Sequence, residues 1–519
     1  MTPPHRVASL PALLLGGLLL APVAGSAHAQ LTPDEIREQI GWVDLLDRLG
    51  AASMPTGAGI AVLQCEAPEG TNLWGPNTAN AVQFAGKTFT SPGASPGTSG
   101  HATSVARLCY GNLDSIAPGV SDIWLYQVSD FLTGGYLRTG QPGTAPSLPP
   151  DEGIRIMNHS WIGQFGTSSD LNALNRVDYL INRDNVLVVN GRGSTTTGDA
   201  RLMANSFNSI TVGTTLGNDL FGDTDPELDG PGRMKPEMVA PGNASSFTTP
   251  VVSATAAVLY ETIDTDPVLS SSVISSRQPV MKATLLAGAT RGADWTNDPV
   301  DGATARPIDD RLGAGVVNVD RSHRIITGYR HPGSTSLANA PTIPLAGFDY
   351  PRVSVGQTRW WRFTVGALDE LSVALTWPRL PSTNFLSYTL MDLDLELVRL
   401  VDGVPEPVDS ARFDSGNVLS TSQVDNLELL SVRGLEPGEY ALKVTRINTG
   451  PTAFAGLAWL MVEPAAPGRP ADYNGDGLVN GADLSLLLSA WGTDDPLIDL
   501  DGDLVIDGAD LALLLSDWG

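Results

Sequence analysis

The chain has little sulfur and little positive charge. Only two cysteines occur among 519 residues, which excludes a small fold held together by disulfides. Lys and Arg number 31 against 57 Asp and Glu, for a net charge of −26. Phosphate contact needs basic patches, so this balance argues against a nucleic-acid partner. Beyond Gln30 no apolar run approaches the length of a membrane span. From Pro470 onward Lys and Arg are absent altogether, while eleven Asp occur.

What is present points to an exported chain of several parts. Arg6, the apolar stretch Leu10 to Leu20 and the small-x-small triplet Ala27-His28-Ala29 predict a signal peptide over residues 1–29. The expected location is secreted or cell surface. The remaining 490 residues (519 − 29) suffice for two or three hydrophobic cores. Leu31 to Ala51 has helical apolar spacing, with Thr32-Pro33-Asp34-Glu35 as a start signal. Cys65 and Cys109 leave two readings open, a disulfide or two buried thiols.

Three segments carry chemistry. Gly57-Ala58-Gly59 followed by Ile60 to Cys65 reads as a turn and a buried strand that ends on Glu66. Gly100-His101-Ala102-Thr103-Ser104 places a histidine at the start of a small-residue run. Ser246-Phe247-Thr248-Thr249-Pro250 precedes the run Val251 to Leu259, which reads as a helix opened by Ser246 with Pro250 near its first turn. A nucleophile at a helix N-terminus sits in a field that favours an oxyanion. The chain order is acid, His, Ser, which is the subtilisin order among triad enzymes.

On these motifs the chain resembles the subtilisin-like serine peptidases over about residues 40 to 325. Further landmarks fit in order: Ile116-Ala117-Pro118-Gly119, Ile156-Met157-Asn158-His159-Ser160-Trp161 and Asn208-Ser209-Ile210-Thr211-Val212-Gly213. The resemblance implies a parallel α/β sheet with helices on both faces over residues 30–340. It implies that Glu66, His101 and Ser246 are catalytic, and that Asn158, Ser160 and Trp161 line the substrate cleft. Three departures stand out. The acid is Glu66 rather than Asp, Ala244-Ser245 replaces Gly-Thr, and the oxyanion segment reads Val189-Asn190-Gly191-Arg192-Gly193. Asn190 is the nearest candidate amide for the oxyanion, and Arg192 is a second side chain that could reach the same space.

Residues 344–462 alternate in polarity between turn signals such as Asp402-Gly403 and Pro437-Gly438, which predicts an antiparallel β-sandwich. Asp392 and Asp394 share a strand face there, which leaves two readings, a solvent face first and a cation site second. A Pro/Ala/Gly linker follows at 463–470, and then a duplication with a 27-residue period over residues 471–519. Asp472, Asn474, Asp476, Leu478, Asn480 and Asp483 match Asp499, Asp501, Asp503, Val505, Asp507 and Asp510. Side-chain oxygens fall at loop positions 1, 3, 5, 9 and 12, with a carbonyl at 7, the pattern that wraps Ca²⁺. With Asp at position 12 and no helix before either loop, the pair resembles a type I dockerin. That implies a small α-helical calcium module and a cohesin-type or cell-surface partner.

The combined reading is a secreted serine endopeptidase acting on protein or peptide substrates, with a calcium-binding tail for attachment. The competing reading is a catalytically impaired peptidase fold kept as a tethered scaffold, motivated by the departures at Glu66, Asn190 and Ala244. An active-site phosphonate separates the two. A sedolisin-like acid peptidase is a weaker third, since the Gly-His-x-Thr motif is retained. Nothing in residues 30–340 suggests the paired carboxylates of a glycosidase.

Overall fold

A computed structural model describes residues 31–93, 95–141, 153–193, 202–216, 224–464, 470–473, 479–495 and 498–518. The signal-peptide candidate and the loop residues Asn474, Asp476 and Leu478 lie outside these. Among the described residues no helix is long and apolar enough to cross a membrane.

The single helix expected over Leu31 to Ala51 is two helices, α1 (Pro33–Gln39) and α2 (Trp42–Leu49). Thr32 and Glu35 form the expected capping box. The break falls at Gly41, whose left-handed φ of 69° suits glycine and ends the first helix.

Seven parallel strands form the central sheet: β1 (Ala61–Glu66), β2 (Thr88–Thr90), β3 (Asp122–Gln127), β4 (Ile154–His159), β5 (Leu187–Gly191), β6 (Ile210–Thr214) and β7 (Met238–Ala240). Their order is β2-β3-β1-β4-β5-β6-β7. Every residue of β1, β5 and β6 is buried, as expected for parallel strands covered on both faces. Helices α3 (Gly100–Tyr110), α4 (Thr167–Asp184), α5 (Ser245–Thr265) and α6 (Gln278–Gly288) supply that cover, and α7 (Val319–Thr327) follows. Helix α5 is buried along most of its length, so Ala254, Ala256 and Ala257 keep it narrow enough to lie against the strands.

Both cysteines are buried and free. Cys65 packs with Leu63 and Phe131 in one core, while Cys109 packs with Val62 and Tyr110 in another. Alternate residues of a strand face opposite sides of a sheet, so β1 itself separates the two thiols. The disulfide reading is thereby closed.

The second part is a sandwich of two antiparallel sheets. Its main strands are β8 (Ala346–Asp349), β9 (Thr358–Val365), β10 (Leu368–Thr376), β11 (Leu393–Val401), β12 (Ser415–Asn417), β13 (Leu427–Leu435), β14 (Gly438–Arg446) and β15 (Gly456–Val462). One sheet runs β8-β15-β10-β13-β12, and the other has β14 between β11 and β9. Trp361, Phe363, Leu395, Leu430, Leu442 and Trp459 fill the space between them. Asp392 and Asp394 are partly buried. Burial first, then the charges of Asp392 and Glu396, pushes the Asp394 carboxyl up to about 6.

The two parts are not beads on a string. The outer face of the first sheet is apolar, and Ala374, Leu429, Ala458 and Leu460 join the core of the peptidase-like part. Ser372 Oγ donates to the Ala287 carbonyl at 2.6 Å and Thr376 Oγ1 to the Pro279 carbonyl at 2.8 Å. Residues Ala303–Thr304 even pair with Leu419–Ser420 as an edge of the other sheet. At the junction Arg379 is wholly buried, with Nε 2.6 Å from Asp178 and Nη1 3.0 Å from Asp229, both also buried.

Removing one member of a buried ion cluster leaves the others uncompensated. Arg379→Met is expected to cost about 3–5 kcal/mol of stability, read as a lower denaturant midpoint in equilibrium unfolding. A midpoint equal to the parent's would show that Arg379 does not hold the two parts together.

Candidate active site

In open parallel sheets the functional crevice lies beyond the carboxyl ends of the strands, where the strand order reverses. Strand β1 is that reversal point here, flanked by β3 and β4, and it ends on Glu66. The second residue of α3 is His101, and the second of α5 is Ser246. The structure thus places the three expected residues at one end of the sheet.

Glu66 and His101 meet directly. The Glu66 Oε2 atom lies 3.0 Å from His101 Nδ1. The carboxylate is 2% exposed and the imidazole side chain 28%. With Nδ1 occupied by the acid, Nε2 is the ring nitrogen left for other chemistry. The imidazole also packs 5.7 Å, centroid to centroid, from the ring of Phe247. Since Phe247 follows Ser246, this contact sets His101 against the first turn of α5.

Burial pushes the Glu66 carboxyl up, and hydrogen bonds from His101 and Gln64 offset only part of that rise. Burial alone would lower the His101 imidazole, but the Glu66 bond and charge, helped by Glu69, carry it above its ordinary value. Glu69 accepts from the amides of Gly100 at 2.9 Å and His101 at 3.2 Å, so a carboxylate caps α3 beside the histidine.

Helix α5 begins one residue earlier than the sequence suggests, with Ala244 as N-cap and Ser245 as its first residue. The amide of Ser246 falls in the first turn, where no intrahelical acceptor exists. Its hydroxyl donates to the Ser160 carbonyl at 3.3 Å. The end of β5 comes equally close: a Cβ on Gly191 would sit 3.2 Å from the hydroxyls of Ser245 and Thr249. Ser245 Oγ donates to the Arg192 carbonyl. These contacts bring Ser160, Arg192 and the start of α5 together.

Two expectations are corrected. Asn190 is fully buried, and its Nδ2 donates to the Met203 carbonyl at 3.2 Å and to Ser209 Oγ at 2.7 Å. The amide is therefore committed to the interior between β5 and β6, not to a developing oxyanion. Asn158 is also fully buried, giving Nδ2 to Ser160 Oγ at 3.0 Å and taking Ser253 Oγ on Oδ1 at 2.9 Å. It ties β4 to α5 and holds the Ser160 segment rather than facing substrate. Trp161 is 5% exposed, with Nε1 donating to His159 Nδ1 at 3.1 Å. Burial lowers the His159 imidazole to about 3. Reading from sequence missed Gln64, Glu69 and Phe247. The signal for Gln64 was its place two residues before the acid, on the same strand face.

Residues 76–315 match the model of the subtilase family. The matched stretch includes His101 and Ser246 and begins after Glu66; it supports a serine peptidase. No curated protein matches the chain. Among solved structures, the prenylagaramide maturation protease PagA aligns at 20% identity and a TM-score of 0.35, covering 54% of this chain and 97% of that one. The self-cleaved protease domain of PatA aligns at 20% identity and a TM-score of 0.34, covering 53% and 98%. The patellamide maturation protease PatA aligns at 19% and 0.35, covering 52% and 98%.

A histidine serving as general base, the role proposed below for His101, must be neutral to work, and the two carboxylates hold the His101 proton more tightly. Glu69→Gln removes one of those charges, so the acid limb of kcat/KM is expected to move to lower pH by a fraction of a unit. A limb that stays in place, or moves up, would show that Glu69 exerts no field on the base.

Proposed function

We propose that the chain is a secreted serine endopeptidase in which Ser246 is the nucleophile, His101 the general base and Glu66 the orienting acid. The observation that carries this reading is the 3.0 Å contact between Glu66 and His101, held against the first turn of the helix that bears Ser246. Ser246 Oγ leaves the Ser160 carbonyl, gives its proton to His101 Nε2 and attacks the peptide carbonyl. His101 then returns the proton to the leaving amine, while Glu66 stabilises the transient imidazolium. The oxyanion takes the Ser246 amide, favoured by the helix field. The neighbouring Arg192 segment is the second candidate contact.

The scaffold reading has its own support. The Ser246 hydroxyl is bonded to Ser160 and the Asn190 amide is turned inward. Hydrolysis of a denatured protein separates the two. Ser246→Ala is expected to abolish it with the fold intact, because one small hydroxyl is lost. Removing the orienting acid of such a triad costs on the order of 10⁴ in turnover, so Glu66→Ala should fall far below Glu66→Asp. Activity persisting in Ser246→Ala, or equal rates in both Glu66 variants, would overturn the roles assigned here.

The tail is read as a calcium module for attachment. Helices α8 (Gly481–Ser489) and α9 (Gly508–Ser516) have matching capping boxes, Asn480 with Asp483 and Asp507 with Asp510. Val479, Leu487, Ile506 and Leu514 form their small core. Oxygens of Asp499, Asp501 and Asp503 lie within 4.8 Å of one another, a donor set that suits a hard cation. The ion would neutralise that repulsion and couple folding of the tail to binding. Leu488, Trp491, Leu515 and Trp518 are exposed at matching places of the two repeats, which supports a protein partner of the cohesin type.

The second loop has a built-in cost. Position 6 is Gly477 in the first loop and Leu504 in the second, where φ is 71°. A side chain in that left-handed region costs roughly 1 kcal/mol. Leu504→Gly is expected to tighten calcium binding at this loop several-fold in titration calorimetry. Unchanged or weaker binding would contradict the assignment of Leu504 to the turn position.

A further inference from the structure

The acid at the end of β1 is one methylene longer than the family's Asp, and the structure shows what the extra length reaches. While Oε2 meets His101, the other carboxylate oxygen, Oε1, accepts a hydrogen bond from Gln64 Nε2 at 2.8 Å. The same Gln64 amide donates to the Ala102 carbonyl at 3.0 Å, in the first turn of α3. Its oxygen accepts from the Tyr110 hydroxyl, in the last turn of that helix. Gln64 is 1% exposed and Tyr110 0%. Both amide protons and the amide oxygen are thus engaged, which fixes how the amide is turned. We propose that Gln64, oriented by Tyr110, is a positioning residue that holds the Glu66 carboxylate ionised and aligned on His101, and that this relay is what lets a glutamate serve at this site.

The chemistry follows from burial. A carboxylate out of water needs partners on both oxygens or it takes up a proton. Among the described residues, the other titratable groups near Glu66 do not supply a second donor of this kind. Glu69 adds like charge, Cys65 projects to the other face of the sheet, and burial pushes the Cys109 thiol far up, so that it stays neutral. The Tyr110 phenol is likewise held protonated by burial, so it remains a donor. Loss of the Gln64 bond would leave Glu66 a stronger base. The Glu66–His101 pair would then hold its first proton more tightly, and its titration would move to higher pH.

The relay rests on the reading of Glu66 and His101 as acid and base, so the test has one arm that does not require activity. Six histidines occur in the chain. Carbon-13 labelling of their Cε1 atoms, with His101→Gln for assignment, follows the His101 midpoint by NMR in the full-length protein. Gln64→Leu is expected to raise that midpoint by about half a unit or more. It is also expected to lower kcat for a peptide substrate roughly ten- to hundredfold, with KM little changed. Tyr110→Phe keeps the ring packed on Phe84 and Phe89 and should shift both readouts in the same direction by less, which covers the case in which Gln64→Leu folds poorly. In a Glu66→Ala background, Gln64→Leu should add no further loss of turnover. A midpoint unmoved in both variants, or a full loss from Gln64→Leu in the Glu66→Ala background, would overturn the relay. A parent enzyme with no hydrolytic activity but a shifted midpoint would overturn the peptidase reading and leave the relay standing.

Discussion

The site turns on one buried charge. Glu66 ends β1 almost without solvent, yet the orienting role proposed for it requires it to stay ionised. Every group around it bears on that requirement: His101 on one oxygen, Gln64 on the other, α3 overhead. The sheet order puts the end of β1 at the crevice, and the helices that carry His101 and Ser246 start there. Moving the carboxylate by the length of one methylene would disturb the imidazole, since two hydrogen bonds fix its position on both sides.

The rest of the architecture keeps that constellation rigid. Asn158 ties the end of β4 to α5, and Ser245 ties α5 to the segment after β5. The sandwich buries the far side of α6 and clamps α4 through Arg379 and Asp178. The catalytic geometry proposed here tolerates only small displacements, and a second domain fused onto the first by apolar contact and buried ions restricts them. Among the described residues, the duplicated tail has a small core of its own.

Much of this was legible from sequence because it follows from local pattern. The apolar runs of β1 and β5 and the small-residue run of α5 each announce themselves over a few residues. The antiparallel character of residues 344–462 showed in alternation. What was not legible depends on pairs distant in the chain. Asn190 read as an oxyanion amide and Asn158 as a cleft residue, but Met203 and Ser209, in the loop after β5, claim the first for the interior, and Ser253, far along the chain, claims the second. The packing of α6 on the outer face of the sandwich was not read from sequence, although the run Leu371 to Leu375 in β10, interrupted only by Ser372, carried a hint. The break at Gly41 required knowing its backbone angle. Gln64 looked like an ordinary strand residue, and only the placement of Tyr110 gives it a role.

The central claim, that Glu66 and His101 activate Ser246, is tested most directly by intact-protein and peptide mass spectrometry after exposure to a fluorophosphonate. The account predicts one adduct, on the peptide containing Ser246, formed at a rate that falls as pH drops through the titration of His101 and lost in His101→Ala. No adduct, an adduct on another serine, or a Ser246 adduct that forms as fast in His101→Ala would contradict it.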